Sequence, residues 1–144
     1  MAMTPQELRT LIDSDAEAST LANAGAADMC AARCRAIAPK ELIERLVTEL
    51  SFFKLYAQPA DAEAVLQQIE TVAQGNAVVE RVRKWLQPGA PGVDVGDPRV
   101  RAMLVLPAVD GGIGLTQEQA APLLTAAEVE PSITGADVST AMEI

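Results

Sequence analysis

Histidine is absent from the 144-residue chain, and aromatic residues make up only 3% of it. The absence of imidazole removes the commonest general base and the commonest metal ligand of proteins. Hydrophobic residues nevertheless make up 49% of the sequence, a larger share than a disordered chain carries. The composition therefore indicates a folded domain whose chemistry does not use histidine.

Cysteine is nearly absent as well: Cys30 and Cys34 lie four residues apart on a predicted helix. A zinc site needs four ligands, so a metal here would require carboxylates or a second chain. A catalytic thiol would need a basic neighbour to lower its pKa, and Arg33 and Arg35 are close in sequence, but no general base or orienting partner is evident. We interpret the two cysteines as small apolar filler of an Ala-rich interface in a reducing compartment.

Long apolar runs are missing too. No segment approaches the roughly 18 consecutive apolar residues of a membrane span. Residues 1–7 lack the basic and apolar regions of a secretion signal. These features predict no membrane span and a protein that is made and used in a cytoplasm.

Positive charge is scarce, with 11 basic and 20 acidic residues and a net charge of −9. Broad nucleic-acid binding needs a basic surface, so this balance disfavours a nucleic-acid partner. All basic residues lie at or before Arg101, and residues 102–144 carry six acids and no base. Such a segment either faces solvent, which is the commoner case, or contacts a basic partner.

Helix start signals recur along the chain and predict an all-α fold. A capping side chain is followed by proline or by an acid or glutamine in the first turn, beginning at Thr4, Ser14, Asn76, Asp97, Thr116 and Thr134. No alternating run of β-branched residues is long enough for a strand, and residues 93–95 are the only candidate.

The clearest helical periodicity covers residues 39–56, where Leu42, Leu46, Leu50 and Phe53 recur on one face. With helices over 59–75 and 76–86 it forms the predicted core, so we expect Leu46 to be buried. Residues 87–97 hold two prolines and three glycines and predict a loop. The predicted architecture is a compact bundle of short helices in residues 1–86, a Pro/Gly loop in 87–97 and a smaller acidic helical segment in 98–144, together one domain.

The apolar residues of segment 98–144 are too few and too dispersed for a core of their own. The segment must pack on residues 1–86 or on another chain. Because a Pro/Gly connection permits an arm to extend, we expect packing on another chain.

Two motifs resemble ligand sites but lack required parts. Residues 13–17 begin like a calcium loop, but Ala18 and Ala24 replace its glycine and its final acid. Residues 111–114, Gly-Gly-Ile-Gly, precede a helix without the preceding strand or the lysine of a phosphate loop. We interpret them as helix N-terminal acids and as a hinge or cap. With no nucleophile and base in evidence, the sequence predicts no cofactor, no metal and no enzyme.

One concentration of basic residues flanks the Pro/Gly loop. It consists of Arg81, Arg83, Lys84, Arg99 and Arg101, with Trp85 among them. These six residues are the candidate partner-binding site, where cations would contact phosphate or an acidic patch and the indole would anchor an interface. The alternative is a solvated helix face with Trp85 turned into the core.

Both ends of the chain carry an ordered series of these signals. Residues 3–15 read Met-Thr-Pro-Gln-Glu-Leu-Arg-Thr-Leu-Ile-Asp-Ser-Asp before an Ala-rich helix, and residues 97–104 and 114–119 precede a short closing helix. This order resembles small Ala-rich helical orphan proteins encoded among the virion genes of tailed bacteriophages. The resemblance implies a non-enzymatic neck, tail or fibre-attachment component that contacts other virion proteins and copies of itself. It also implies a location in the virion and, during assembly, in the host cytoplasm.

A second hypothesis is an acidic soluble inhibitor or adaptor that binds a basic surface of a host protein. Affinity dominated by charge falls steeply with ionic strength, whereas helix packing is much less sensitive. Salt dependence therefore separates the two hypotheses. A third, enzymatic hypothesis has no substrate to nominate.

Overall fold

The computed structural model describes residues 3–144 and is mainly α-helical, as the capping signals predict. Met1 and Ala2, with which the predicted N-terminal bundle begins, lie outside the described residues. The helices of the described chain are α1 (Pro5–Ser14), α2 (Ala16–Asn23), α3 (Ala27–Ile37), α4 (Glu49–Leu55), α5 (Pro59–Ala73), α6 (Ala77–Leu86), α7 (Pro98–Val105), α8 (Gln117–Ala126) and α9 (Gly135–Met142), with a 3-10 turn at Ala108–Asp110.

Four strands of two residues each interrupt the helices: β1 (Glu41–Leu42), β2 (Leu46–Val47), β3 (Val93–Asp94) and β4 (Glu128–Val129). Strand β1 pairs with β4, and β2 pairs antiparallel with β3, so that Leu46 lies opposite Asp94 and Val47 opposite Val93. The described chain therefore adds only short strand pairs to a helical fold.

The predicted caps form at nearly every helix start. Thr116 accepts a hydrogen bond from the Gln119 amide at 3.1 Å, and the Gln119 side chain accepts one from the Thr116 amide at 3.0 Å. The side chains of Thr4, Asn76, Asp97 and Thr134 likewise accept hydrogen bonds from amides in the first turns of their helices. Helix α2 is the exception, because Asp15 and not Ser14 accepts from the Ala18 amide, at 2.9 Å.

The prediction of one helix over residues 39–56 is wrong for the first half of that range. Residues 41–42 and 46–47 are strands, and α4 begins only at Glu49. Pairing with β3 holds residues 46–47 in an extended conformation, whose alternation turns Leu46 outward and Val47 inward. Leu46 is 50% exposed. The apolar residues that predicted a buried face, Leu42, Leu46, Leu50 and Phe53, are all exposed.

Contacts divide the chain at places other than residues 86 and 97. One compact unit, the first unit, consists of the described residues up to Glu41 with Val129–Ile144; the second unit is Leu42–Glu128. Each has its own apolar core. The Pro/Gly segment 87–97 lies inside the second unit and contains β3.

The expectation that residues 98–144 reach out to another chain is wrong. Within the second unit, Leu104 of α7 and Leu123 of α8 join a core that also holds residues of α4, α5 and α6. Within the first unit, α9 packs on α1 and α3 through Val138 and Ala141. The apolar residues of this segment are too few for a separate core, and those that are buried join the two cores that earlier helices begin.

In the first unit, Cys30 and Cys34 are free thiols, both fully buried, so their predicted place in an apolar interface is confirmed. The Cys30 thiol donates to the Ala18 carbonyl at 3.4 Å. Burial, with the neighbouring Cys30 as a smaller cause, raises the pKa of Cys34 to about 12. The Cys34 thiol therefore stays protonated at neutral pH.

The acidic side chains of residues 13–17 form ion pairs with arginines. Asp13 pairs with Arg9 at 3.1 Å, and Arg33 lies 3.0 Å from Asp15 and 3.3 Å from Glu17. The hydrogen bond from Arg33, followed by that from the Ala18 amide, lowers the pKa of Asp15. The cluster thus ties α2 to α3 within the first unit.

Candidate functional site

Helix α6 carries the exposed indole of the second unit. Asn76 starts the helix by accepting hydrogen bonds from the amides of Val78 and Val79, at 3.0 and 3.2 Å. Val78, Arg81 and Trp85 follow at intervals of three and four residues and therefore share one face. Trp85 is 45% exposed, so it is not turned into the core as in the alternative interpretation.

This face borders an open groove of about 530 Å³. The groove is lined from α6 by Val78, Arg81, Val82 and Trp85, from β2 by Leu46, from the Pro/Gly segment by Pro91, Gly92, Val93, Asp94 and Asp97, and from α7 by Arg99, Val100 and Met103. Most of these side chains are apolar, and Leu46 and Val78 are half exposed. The described part of the second unit thus has an apolar groove with charged residues at its border.

The Pro/Gly segment is an ordered wall of this groove. The Gly92 amide donates to the Trp85 carbonyl at 3.0 Å. Gly92 has a φ of +92°, and a Cβ there would lie 3.0 Å from the Val47 carbonyl oxygen, so only glycine lets the segment approach β2 without strain. The Asp94 carboxylate then accepts from the amides of Arg45 and Gly96, at 3.0 and 2.8 Å.

The structure brings four of the six predicted residues together. Arg81, Trp85 and Arg99 line the groove, and Lys84 joins Arg81 and Trp85 around an adjoining recess of about 290 Å³. Arg99 is 90% exposed and pairs with Asp97 at 3.2 Å. Arg81 and Lys84 are exposed and make no ion pair or side-chain hydrogen bond with any other described residue.

The other two predicted residues are engaged inside the second unit. Arg83 binds Glu80 through two hydrogen bonds of 2.8 and 2.6 Å, and these bonds are the main reason its pKa is raised. Arg101 is only 16% exposed and bonds the Val95 and Leu124 carbonyls at 3.0 and 2.9 Å and Glu128 at 2.8 Å. Arg101 therefore joins α7, the Pro/Gly segment and the end of α8.

The sequence prediction missed the apolar part of the site, above all Leu46, Val78, Val100 and Met103. Val78 carries a signal, because it lies seven residues before Trp85 and so on the same helix face. Leu46 carries none, since its spacing predicts a buried helical position.

A separate recess of about 290 Å³ in the second unit is lined partly by Tyr56, Asp61, Glu118 and Gln119. The Tyr56 hydroxyl donates to the Gln119 carbonyl, and burial raises the pKa of Tyr56 to about 12. This hydroxyl is therefore protonated at neutral pH and unsuited to act as a base.

Residues 3–144 also bear on two other classes of site, metal centres and membrane spans. No group of three or more Cys, Asp or Glu residues in that range is placed to hold a metal ion. No helix in it is long and apolar enough to cross a membrane.

No protein-family model matches the chain, and comparisons with curated proteins and with solved structures found no match. The groove of the second unit and the charges around it are therefore the main guide to function.

Proposed function

We propose that the chain is a non-enzymatic structural or assembly protein of a tailed-phage virion, a neck, tail or fibre-attachment component that binds other virion proteins and copies of itself. The observation that carries the protein-binding part of this proposal is the apolar groove between α6, the Pro/Gly segment and α7. Exposed apolar residues that converge on one concave surface are typical of an interaction site.

The distribution of exposed apolar side chains supports a docking role. Among the described residues, all large hydrophobic side chains that are substantially exposed lie in the second unit, except Met29 and Ile144. Trp85, the single tryptophan of the chain, lies at the groove. A half-exposed indole beside cations that pair with no other described residue is the kind of residue that anchors protein interfaces.

Two of the potentially reactive side chains are held in their protonated forms. The raised pKa values of Cys34 and Tyr56 keep both groups protonated at neutral pH. Neither side chain is then a nucleophile or a base under those conditions.

The second hypothesis, an acidic adaptor for a basic host surface, has weaker support. Of the six acids beyond residue 101, Glu128 pairs with Arg101, Glu130 pairs with Lys40, and the Asp137 carboxylate accepts a hydrogen bond from the Thr134 amide at the start of α9. Half of the acids in this segment are therefore already bonded to other residues of the same chain.

Mass spectrometry of purified particles tests the proposal. We expect the chain in particles at a fixed stoichiometry to other virion proteins, and deletion of its gene should leave particles defective or incomplete. Absence from the virion together with normal particles after deletion would refute the proposal.

Salt dependence tests the adaptor hypothesis separately. Binding of a partner through the groove should weaken only partly at raised ionic strength, because contacts to exposed cations are screened whereas apolar burial is not. Binding that collapses steeply with salt would favour the adaptor instead.

A further inference from the structure

We propose that the groove between α6 and α7 is the receptor for an acidic amphipathic helix of a partner protein. Apolar side chains of that helix would enter the groove, and its carboxylates would contact Arg81 and Lys84. This inference rests on the proposed role in protein docking and names the chemistry of the partner.

The sign of the charge on the partner follows from which charged residues around the groove are already paired. Asp94 accepts two backbone amides, and Asp97 caps α7 and pairs with Arg99. Glu80, the carboxylate of the adjoining recess, is bonded to Arg83. Arg81 and Lys84 are left as exposed cations without an ion pair among the described residues, Lys84 adding only the smallest of the causes that lower the pKa of Glu80, so a carboxylate is the complementary group.

The apolar content of the partner follows from the groove itself. Leu46, Val78 and Trp85 leave about half of their surfaces in water. A volume of about 530 Å³ lies within the range of sites that enclose several apolar groups. Apolar side chains of the partner would remove that surface from water.

The backbone around the groove favours a helix over a strand as occupant. An added strand needs free amides and carbonyls at a sheet edge. Here the Gly92 amide is bonded to Trp85, the Val95 amide to Arg45, and the paired strands β2 and β3 are only two residues long, too short an edge for an added strand. A helix satisfies its own backbone and needs only side-chain contacts.

A peptide-display selection tests the proposal on the full-length chain. The probe is a library of helical peptides of about 16 residues with a constant leucine stripe and randomised flanking positions. We expect enriched peptides to carry Asp or Glu beside the stripe. Their binding should shift the emission of Trp85, the single tryptophan, to shorter wavelength as the indole leaves water.

Two pairs of variants assign the binding to the groove. Val78→Asp and Leu50→Asp each place an acid at the second position of a helix on a largely exposed side chain, but only Val78 lines the groove. Arg81→Glu and Lys54→Glu make the same change of charge on exposed residues, and only Arg81 lines the groove. We expect Val78→Asp and Arg81→Glu to weaken binding about tenfold or more, and the two controls to change it by less than about twofold.

Enrichment of basic or neutral peptides, the absence of any enrichment, or equal losses in Val78→Asp and Leu50→Asp would overturn the proposal. The outcome is separable from that of the virion assignment. Acidic peptides that bind the groove of a chain absent from particles would leave the receptor standing and refute the virion role. A chain found in particles whose groove enriches no acidic helix would do the reverse.

Discussion

At the scale of single residues, Arg99 and Arg101 show why neighbouring basic residues have different roles. Two positions separate them in the sequence, yet Arg99 is 90% exposed and Arg101 only 16%. Arg101 donates to two carbonyls and one carboxylate that lose this donor when it is removed, although the Leu124 carbonyl keeps its bond from the Ala127 amide. Arg101→Ala should therefore lower the free energy of unfolding by about 2–4 kcal/mol, measured by urea denaturation.

The matched control for that substitution is Arg99→Ala, which should leave the urea midpoint unchanged because solvent screens the Arg99–Asp97 pair. Arg101→Lys should fall between the two, since an ammonium lacks the fork that reaches three acceptors. Equal effects of Arg99→Ala and Arg101→Ala would contradict the inward placement of Arg101.

Tyr56 gives a prediction of pH dependence. It is the single tyrosine of the chain, and burial raises its pKa from 10.0 to about 12. Because the folded protein holds this proton more tightly than the unfolded chain, the stabilisation is full below pH 10 and is lost as the pH rises through about 12. Tyrosinate absorbance should therefore titrate near pH 12 in the folded protein and near pH 10 in urea.

Over the same interval the free energy of unfolding should fall by about 2–3 kcal/mol on account of Tyr56. The buried Cys34, whose pKa is also raised, adds its own loss from about pH 9 upward. Tyr56→Phe isolates the tyrosine contribution, because this variant should lose less stability between pH 10 and 12 than the parent. A folded-state tyrosinate midpoint near pH 10 would contradict the burial of the hydroxyl.

At the scale of elements, strand β2 replaces part of the helix that the apolar spacing predicts. Leu46→Ala should cost less than about 1 kcal/mol, because the side chain is already half exposed. Val47→Ala should cost about 2 kcal/mol, because Val47 is buried in the core of the second unit. Both values come from urea denaturation, and the reverse order would restore a helical face centred on Leu46.

The success of the caps and the failure at residues 39–48 have a common physical reason. A capping box such as Thr116 with Gln119 involves atoms three residues apart, so the local sequence contains all of it. Strand β2 exists because residues 93–94 pair with it, and nothing near Leu46 reveals that distant partner. Local patterns are decisive where the bonding partners are local, and tertiary pairing overrides them elsewhere.

The candidate site follows the same division. Arg81, Lys84 and Trp85 lie on one short helix, so their spacing alone predicts a shared neighbourhood. The inward turn of Arg101 depends on the Leu124 carbonyl and on Glu128, which lie in a later part of the chain. The apolar lining depends on β2 and α7 and was therefore beyond the reach of sequence patterns.

At the scale of the whole molecule, the order of the chain conceals two separate cores. All buried residues of one apolar cluster lie within residues 42–128, and all those of the other lie in the first unit. Chain segments far apart in sequence, such as α1, α3 and α9, complete the core of the first unit. A boundary at residue 86 would cut through both cores, although composition favours a break near that point.

Residues 42–128 should therefore fold when they are produced alone, whereas residues 1–86 should not. The excised second unit keeps its complete core, and its two ends lie together because the Ile43 amide donates to the Ala127 carbonyl at 2.9 Å. Residues 1–86 lack Leu104 and Leu123 of one core and Val138 and Ala141 of the other, so both cores would be left with apolar surface in water. The measurement is urea denaturation followed by near-ultraviolet circular dichroism, since Tyr56 and Trp85 belong to both fragments. A sharp transition is expected for 42–128 and a featureless spectrum for 1–86; cooperative unfolding of 1–86 would contradict the division into units and restore an N-terminal bundle.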